Sequence, residues 1–187
     1  AREMGKQIPE DPLLFLKAPS ALNPPGGEIV YPPQSKRVDY EAELAVVIGR
    51  RAKNVRARDA AAYILGYTCI NDVTARDLQK KDGQWTRAKA FDTFAPFGPW
   101  IETDFAPAGR GIETRVGGVV RQAGRFDDLV HPVDRLIEYL SAAMTLEPGD
   151  LFRRPLSYDP SSFIAALRAQ VDDPVGGPGH VHVMLHN

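Results

Sequence analysis

The stretch that decides the architecture is Val38-Asp39-Tyr40-Glu41-Ala42-Glu43-Leu44-Ala45-Val46-Val47-Ile48-Gly49. Strand side chains alternate between two faces, so Val38, Tyr40, Ala42, Leu44, Val46 and Ile48 share one face and Asp39, Glu41, Glu43, Ala45 and Val47 the other. The first face is apolar throughout, which predicts a strand laid on a core. The second begins with acids and runs into Ala45 and Val47, so its carboxylates are drawn toward an interior and not left on a solvated surface. Outward from this strand, Arg58 to Leu65 predicts a short helix stopped by Gly66, and Tyr67 to Ile70 a buried strand that ends at Asn71-Asp72. Asp72 to Gln79 predicts a capped short helix, with Asp72 and Thr74 placed to accept from backbone N–H groups at its start. Ile112 to Val116 and Val119 to Gln122 predict a β-hairpin, because Gly117-Gly118 tolerates the positive φ of a type I′ turn. Val133, Leu136, Ile137, Leu140 and Met144 recur at helical spacing behind Pro132.

Towards the termini the signals weaken. Pro9, Pro12, Pro19, Pro24, Pro25, Pro32 and Pro33 forbid a long helix near the start, leaving Leu13 to Leu16 as a brief apolar run with strand character. Near the end, Pro148-Gly149-Asp150 predicts a turn, Ser161 or Ser162 a cap for a short helix around Phe163 to Val171, and Val181, Val183 and Leu185 a last strand. The fold class is therefore mostly β with short helices, α+β, with no internal repeat. The 187 residues fit one domain. With 23 Lys+Arg against 24 Asp+Glu there is no basic excess to neutralise phosphates, so nucleic acid is not an expected partner. No apolar run approaches the roughly 18 residues of a membrane span, and Ala1 to Lys6 is too polar for a signal-peptide core; a cytoplasmic, membrane-free protein is expected. The lone Cys69 makes no internal disulfide and sits in an apolar run as a buried structural thiol. Trp85, Phe91, Phe94, Phe97 and Trp100 are expected to pack core and pocket wall.

The chemistry starts at Glu41 and Glu43. Two residues apart on a strand they project to one side, near enough to share a cation, and buried carboxylates require one. Oxygen-only donors suit Mg²⁺, Mn²⁺ or Ca²⁺ over zinc or copper. Asp72, at the end of an apolar strand, is the candidate third ligand, although a helix cap explains it equally well. His180, His182 and His186 share a face of the last strand, but no fourth ligand accompanies them.

Residues 39–49, together with Gly66-Tyr67, Asn71-Asp72-Val73-Thr74-Ala75-Arg76-Asp77-Leu78-Gln79 and Lys89-Ala90-Phe91-Asp92-Thr93-Phe94-Ala95-Pro96-Phe97-Gly98-Pro99, resemble the fumarylacetoacetate hydrolase family. The resemblance covers about residues 1–150. It implies a rolled β-sandwich or barrel catalytic domain, a homodimer, and a divalent cation, commonly Mg²⁺, on Glu41, Glu43 and Asp72. It places Lys89 in the substrate pocket as a charge stabiliser, with Arg76 and Gln79 beside the substrate. It further implies hydrolysis, isomerisation or decarboxylation of small 2-oxo acids or 1,3-dicarbonyl compounds, such as acylpyruvates, oxaloacetate or aromatic ring-cleavage products, through a cation-stabilised enolate. Hydrolytic members activate water with a His–Glu pair near the N-terminus. Glu3, followed by Met4 and Gly5, resembles that acid, and its His would precede Ala1, so the chain is expected to be shortened at its N-terminus. After Leu146-Glu147-Pro148-Gly149-Asp150 the resemblance stops where relatives carry a closing Thr-Gly-Thr-Pro loop, and residues 151–187 are expected to be a divergent tail. A metal-binding relative without catalysis, lacking that His and that loop, is the alternative.

Overall fold

The computed structural model of the chain describes residues 10–155 and 181–186. In chain order the strands are β1 (Leu22–Asn23), β2 (Val38–Asp39), β3 (Ala42–Ile48), β4 (Ile64–Asn71), β5 (Thr74–Ala75), β6 (Ala95–Glu102), β7 (Gly111–Val116), β8 (Val119–Arg125), β9 (Leu151–Pro155) and β10 (Val181–His186). The helices are α1 (Arg76–Asp82), α2 (Thr86–Lys89) and α3 (Val133–Ala143). A mixed sheet runs β1-β6-β4-β3-β9, a second sheet runs β10-β7-β8, and β2 and β5 form a two-stranded ribbon. The class is α+β, as expected.

β3 sits inside the large sheet, antiparallel to β4 on one side and β9 on the other, and all seven of its residues are buried. Burial on both faces explains why its apolar run is nearly continuous. Ala42 and Leu44 meet Cys69, Ile112 and Phe126 in the layer between the large sheet and the hairpin sheet. Ala45 joins Ile70, Val73, Leu78, Ala88 and Phe94 on the side covered by α1 and α2. Ile48 joins a third cluster in which Ile137 and Leu140 carry the apolar stripe of α3. The acids of the 38–49 stretch thus lie on the face that α1 and α2 cover.

Several boundaries differ from the sequence reading, each for a physical reason. The long strand breaks at Tyr40-Glu41: its first two residues leave the sheet to pair with β5, in register Val38↔Ala75 and Asp39↔Thr74. The expected 58–65 helix is a 3₁₀ segment over Ala57–Tyr63, and β4 already begins at Ile64 and runs through Gly66. The expected 72–79 helix begins only at Arg76, because residues 74–75 are taken by the ribbon. Its cap position is Ala75 with no side-chain cap, while the Thr74 hydroxyl donates to the Asp72 carbonyl at 2.8 Å. Asp72 is therefore no helix cap. Leu13 to Leu16 forms no strand; Leu13 and Leu16 face solvent and Phe15 stacks on Trp85 at 5.4 Å. Trp100 is 70% exposed and not part of the core, since β1 covers β6 only at Ala95 and Pro96. Phe94 is fully buried, with Phe91 packed on it.

The hairpin and α3 stand where the sequence puts them. Gly117 and Gly118 have φ of 56° and 79°, the left-handed pair a type I′ turn demands. Cys69 is a buried thiol, as expected. Leu151–Pro155 adds to the sheet beside β3, and β10 pairs with β7. Ser161, Ser162, the 163–171 segment and His180 lie outside the described residues. Among the described residues no helix is long and apolar enough to cross a membrane.

Candidate active site

The site forms where β4 ends against the start of β3. Asn71 Oδ1 accepts from the Glu41 N–H at 3.0 Å, and the Asp72 N–H donates to the Glu41 carbonyl at 2.9 Å. These two bonds lock the backbone of one acid to that of the other. One carboxylate oxygen each from Glu41, Glu43 and Asp72 then falls within a group whose members are all within 4.8 Å of one another. Glu43 and Asp72 are buried, and Glu41 nearly so.

Basic side chains meet these acids from α1, α2 and the segments before β1 and β2. Lys89, the last residue of α2 and 2% exposed, donates to Glu41 Oε2 at 2.7 Å and to Asp72 Oδ2 at 2.5 Å. Its ammonium also lies 5.0 Å from the centre of the Phe15 ring. Lys17 donates to Asp72 Oδ1 at 2.7 Å and to the Val73 carbonyl at 3.2 Å. Arg76, at the start of α1, bonds Asp39 Oδ2 at 2.9 Å, Glu41 Oε1, and Gln79 Oε1 at 2.8 Å. Arg37 holds the other oxygen of Asp39 at 3.1 Å. Burial opposes the charge on Arg76, but the carboxylates of Glu41 and Asp39 outweigh it and raise the guanidinium pKa above its ordinary value.

Isolated carboxylates at this depth would cost several kcal/mol each. Here Asp39, Glu41, Glu43 and Asp72 are matched in number by Lys17, Arg37, Arg76 and Lys89, so the cluster is close to neutral. The donor set is all oxygen and compact, which fits a hard dication such as Mg²⁺, Mn²⁺ or Ca²⁺. A dication added to that balance would leave the site with a positive excess.

The structure gathers Glu41, Glu43, Asp72, Lys89, Arg76 and Gln79 into this one place; Glu3 lies outside the described residues. The sequence reading did not single out Lys17 or Arg37, and counted Asp39 only as one of the strand's acids. Asp39 had a signal, since it shares the face of Glu41 and Glu43. Lys17 had none, coming from a proline-punctuated segment 55 positions before its partner.

Residues 1–153 match the sequence model of the fumarylacetoacetate (FAA) hydrolase C-terminal domain. The chain belongs to the fumarylacetoacetate hydrolase family. Within it, a protein of Pyrococcus abyssi is 55% identical over 157 residues, covering 81% of this chain and 70% of that protein. The mitochondrial oxaloacetate tautomerase of Rattus norvegicus is 40% identical over 154 residues, covering 80% of this chain and 49% of that enzyme. Among solved structures, 5-carboxymethyl-2-hydroxymuconate delta-isomerase from Mycobacterium smegmatis superposes with a TM-score of 0.73 at 49% identity, over 79% of this chain and 62% of that one. The chain thus spans between about half and seven-tenths of the length of these fumarylacetoacetate hydrolase relatives. Those whose activities are named include a tautomerase, isomerases and a hydrolase.

Proposed function

We propose that this chain carries the catalytic centre of a Mg²⁺-dependent enzyme that isomerises, hydrolyses or decarboxylates small 2-oxo acids or 1,3-dicarbonyl compounds by way of an enolate. The observation that carries this reading is the convergence of Glu41, Glu43 and Asp72 with the buried ammonium of Lys89 bonded to two of them. Glu41, Glu43 and Asp72 would hold the dication, which would supply Lewis-acid stabilisation of negative charge on a substrate oxygen. Lys89 adds a second positive charge at a point already stripped of water, where an ammonium acts on a developing oxyanion with little screening. Arg76 orients Glu41 and Gln79 at once and so sets the wall against which the substrate lies. Glu3 is the proposed acid of a water-activating pair for a hydrolytic outcome. The positive excess of the cation-loaded site favours an anionic substrate, in keeping with a 2-oxo acid. A homodimer in the cytoplasm completes the proposal, and a purely monomeric sedimentation profile would contradict the first half of that statement.

The test is turnover of an acylpyruvate and of oxaloacetate by the purified chain, with Mg²⁺ and with EDTA, following the enol absorbance and pyruvate release. Turnover that needs Mg²⁺ and stops in EDTA is expected. Binding of Mg²⁺ without turnover of either compound would instead support a cation-binding protein without this catalysis.

A further inference from the structure

We infer that Gln122, on the hairpin strand β8, is a positioning residue for the cation site, fixing the backbone between its two glutamates. The inference rests on the reading of Glu41, Glu43 and Asp72 as cation ligands. Its basis is one hydrogen bond at one residue. Ala42 stands between Glu41 and Glu43, and its N–H donates to Gln122 Oε1 at 3.1 Å, across 80 positions of sequence. A backbone N–H can only donate, so the Gln122 amide must present its oxygen here. The fully buried Thr114 hydroxyl donates to the same oxygen at 3.0 Å, which fixes the amide against β7. Gln122 therefore reaches from the hairpin sheet to the large sheet.

The place of this bond gives it consequence. One carboxylate oxygen each from Glu41, Glu43 and Asp72 lies within 4.8 Å of the others. The backbone of residues 40–42, where the strand has broken between β2 and β3, sets where the two glutamate side chains start from. Two side-chain amides hold that segment: Asn71 takes the N–H of Glu41, and Gln122 takes the N–H of Ala42. Asn71 belongs to the site already described, next to Asp72. Gln122 belongs to a different sheet, so the hairpin becomes part of the machinery that aims the glutamates. With its acceptor removed, the buried Ala42 N–H must seek another partner, and the carboxylates on either side move with it.

The experiment is Mg²⁺ titration of the full chain by calorimetry, with thermal melts in parallel. Gln122→Met keeps the shape and removes the acceptor; the expected result is cation affinity weakened by about 10-fold or more, the usual effect of losing a residue that supports a ligand. Gln122→Glu keeps an acceptor oxygen and is expected to bind Mg²⁺ much as the parent does. A merely structural role would lower the melting temperature of both variants and leave affinity alone. In the unmutated chain, reciprocity requires that saturating Mg²⁺ slow amide exchange at Ala42, a measurement that stands even where the Met variant does not fold. Parent-like Mg²⁺ affinity in Gln122→Met, or Ala42 exchange indifferent to Mg²⁺, overturns the inference while the cation reading stands. No Mg²⁺ uptake by the parent chain overturns the cation reading, and this inference with it.

Discussion

Lys89 is bonded to two carboxylates proposed as cation ligands, so its ammonium and a dication draw on the same oxygens. Unit charges about 4 Å apart interact by roughly 4 kcal/mol at an effective dielectric near 20, and like charges pay that as repulsion. Lys89→Met should therefore bind Mg²⁺ at least as tightly as the parent. Turnover should fall by about 10²–10³, the usual effect of deleting one group that stabilises a developing oxyanion. The same variant leaves Glu41 and Asp72 buried without this partner, so it should melt lower in EDTA and regain more than the parent does on adding Mg²⁺. Calorimetry beside steady-state kinetics reads this split, and weakened Mg²⁺ binding in the variant would contradict the assignment of Lys89. At this scale the sequence was readable wherever a period or a motif organised it. Glu41 and Glu43 stood out by period-two alternation, and Asp72 by its place after an apolar strand. Lys17 was invisible, because nothing local marks a lysine whose partner is supplied by tertiary folding.

Secondary-structure elements show the same division. β3, the hairpin and α3 were legible because their apolar residues recur at the period of the element they form. The break at residues 40–41 was not, since the period-two alternation continues through it and the cause, pairing of residues 38–39 with β5, is tertiary. The late start of α1 was hidden for a related reason: Asp72 and Thr74 have the chemistry of caps, but the ribbon with β2 claims residues 74–75. What fixes α1 in place is Asp77 in its first turn, whose carboxylate accepts from the Ser35 hydroxyl at 2.6 Å and the Lys36 N–H at 2.9 Å. Burial works against its ionised form, but the Ser35 hydroxyl and the backbone N–H groups of Lys36, Leu78 and Asp77 itself outweigh that and lower its pKa below 3.8. A carboxylate depressed in the folded state stabilises the fold above its unfolded pKa and loses that contribution as pH falls through the folded value. Asp77→Ala should therefore cost about 1 kcal/mol at neutral pH, at the low end for charged hydrogen bonds because the group is partly exposed and so screened by solvent. That corresponds to a melting temperature lower by about 2–4 °C. The gap between parent and variant should narrow as pH is taken below about 3.8. Thermal melts across pH read it, and a gap that widens toward acid would refute the account.

At the scale of the whole molecule, the acid cluster is the point where separate parts of the chain are tied together. Glu41 and Glu43 come from the entry to β3, Asp72 from the residue just after β4, Lys89 from α2, Arg76 from α1, and Lys17 from the segment before β1. In the cation-free balance those parts are joined by ion pairs; a bound dication would tie two of them, the entry to β3 and the residue just after β4, through one centre. Anything that binds the folded chain and not the unfolded one stabilises it by mass action, about 2.7 kcal/mol at a concentration 100-fold above the dissociation constant. For a chain of this length that corresponds to a rise in melting temperature of about 5–10 °C. Glu43→Gln tests the origin of the rise. The amide matches the carboxylate in shape but supplies no negative charge, so this variant should lose both the thermal shift and the calorimetric binding of Mg²⁺. A general salt effect predicts something different: parent and variant would rise together, and NaCl at equal ionic strength would do as well as MgCl₂. A shift specific to Mg²⁺ and absent from Glu43→Gln would tie the stability of the assembled sheet to the three acids. A parent melting temperature unmoved by Mg²⁺ at millimolar concentration would remove the cation from the account of this fold.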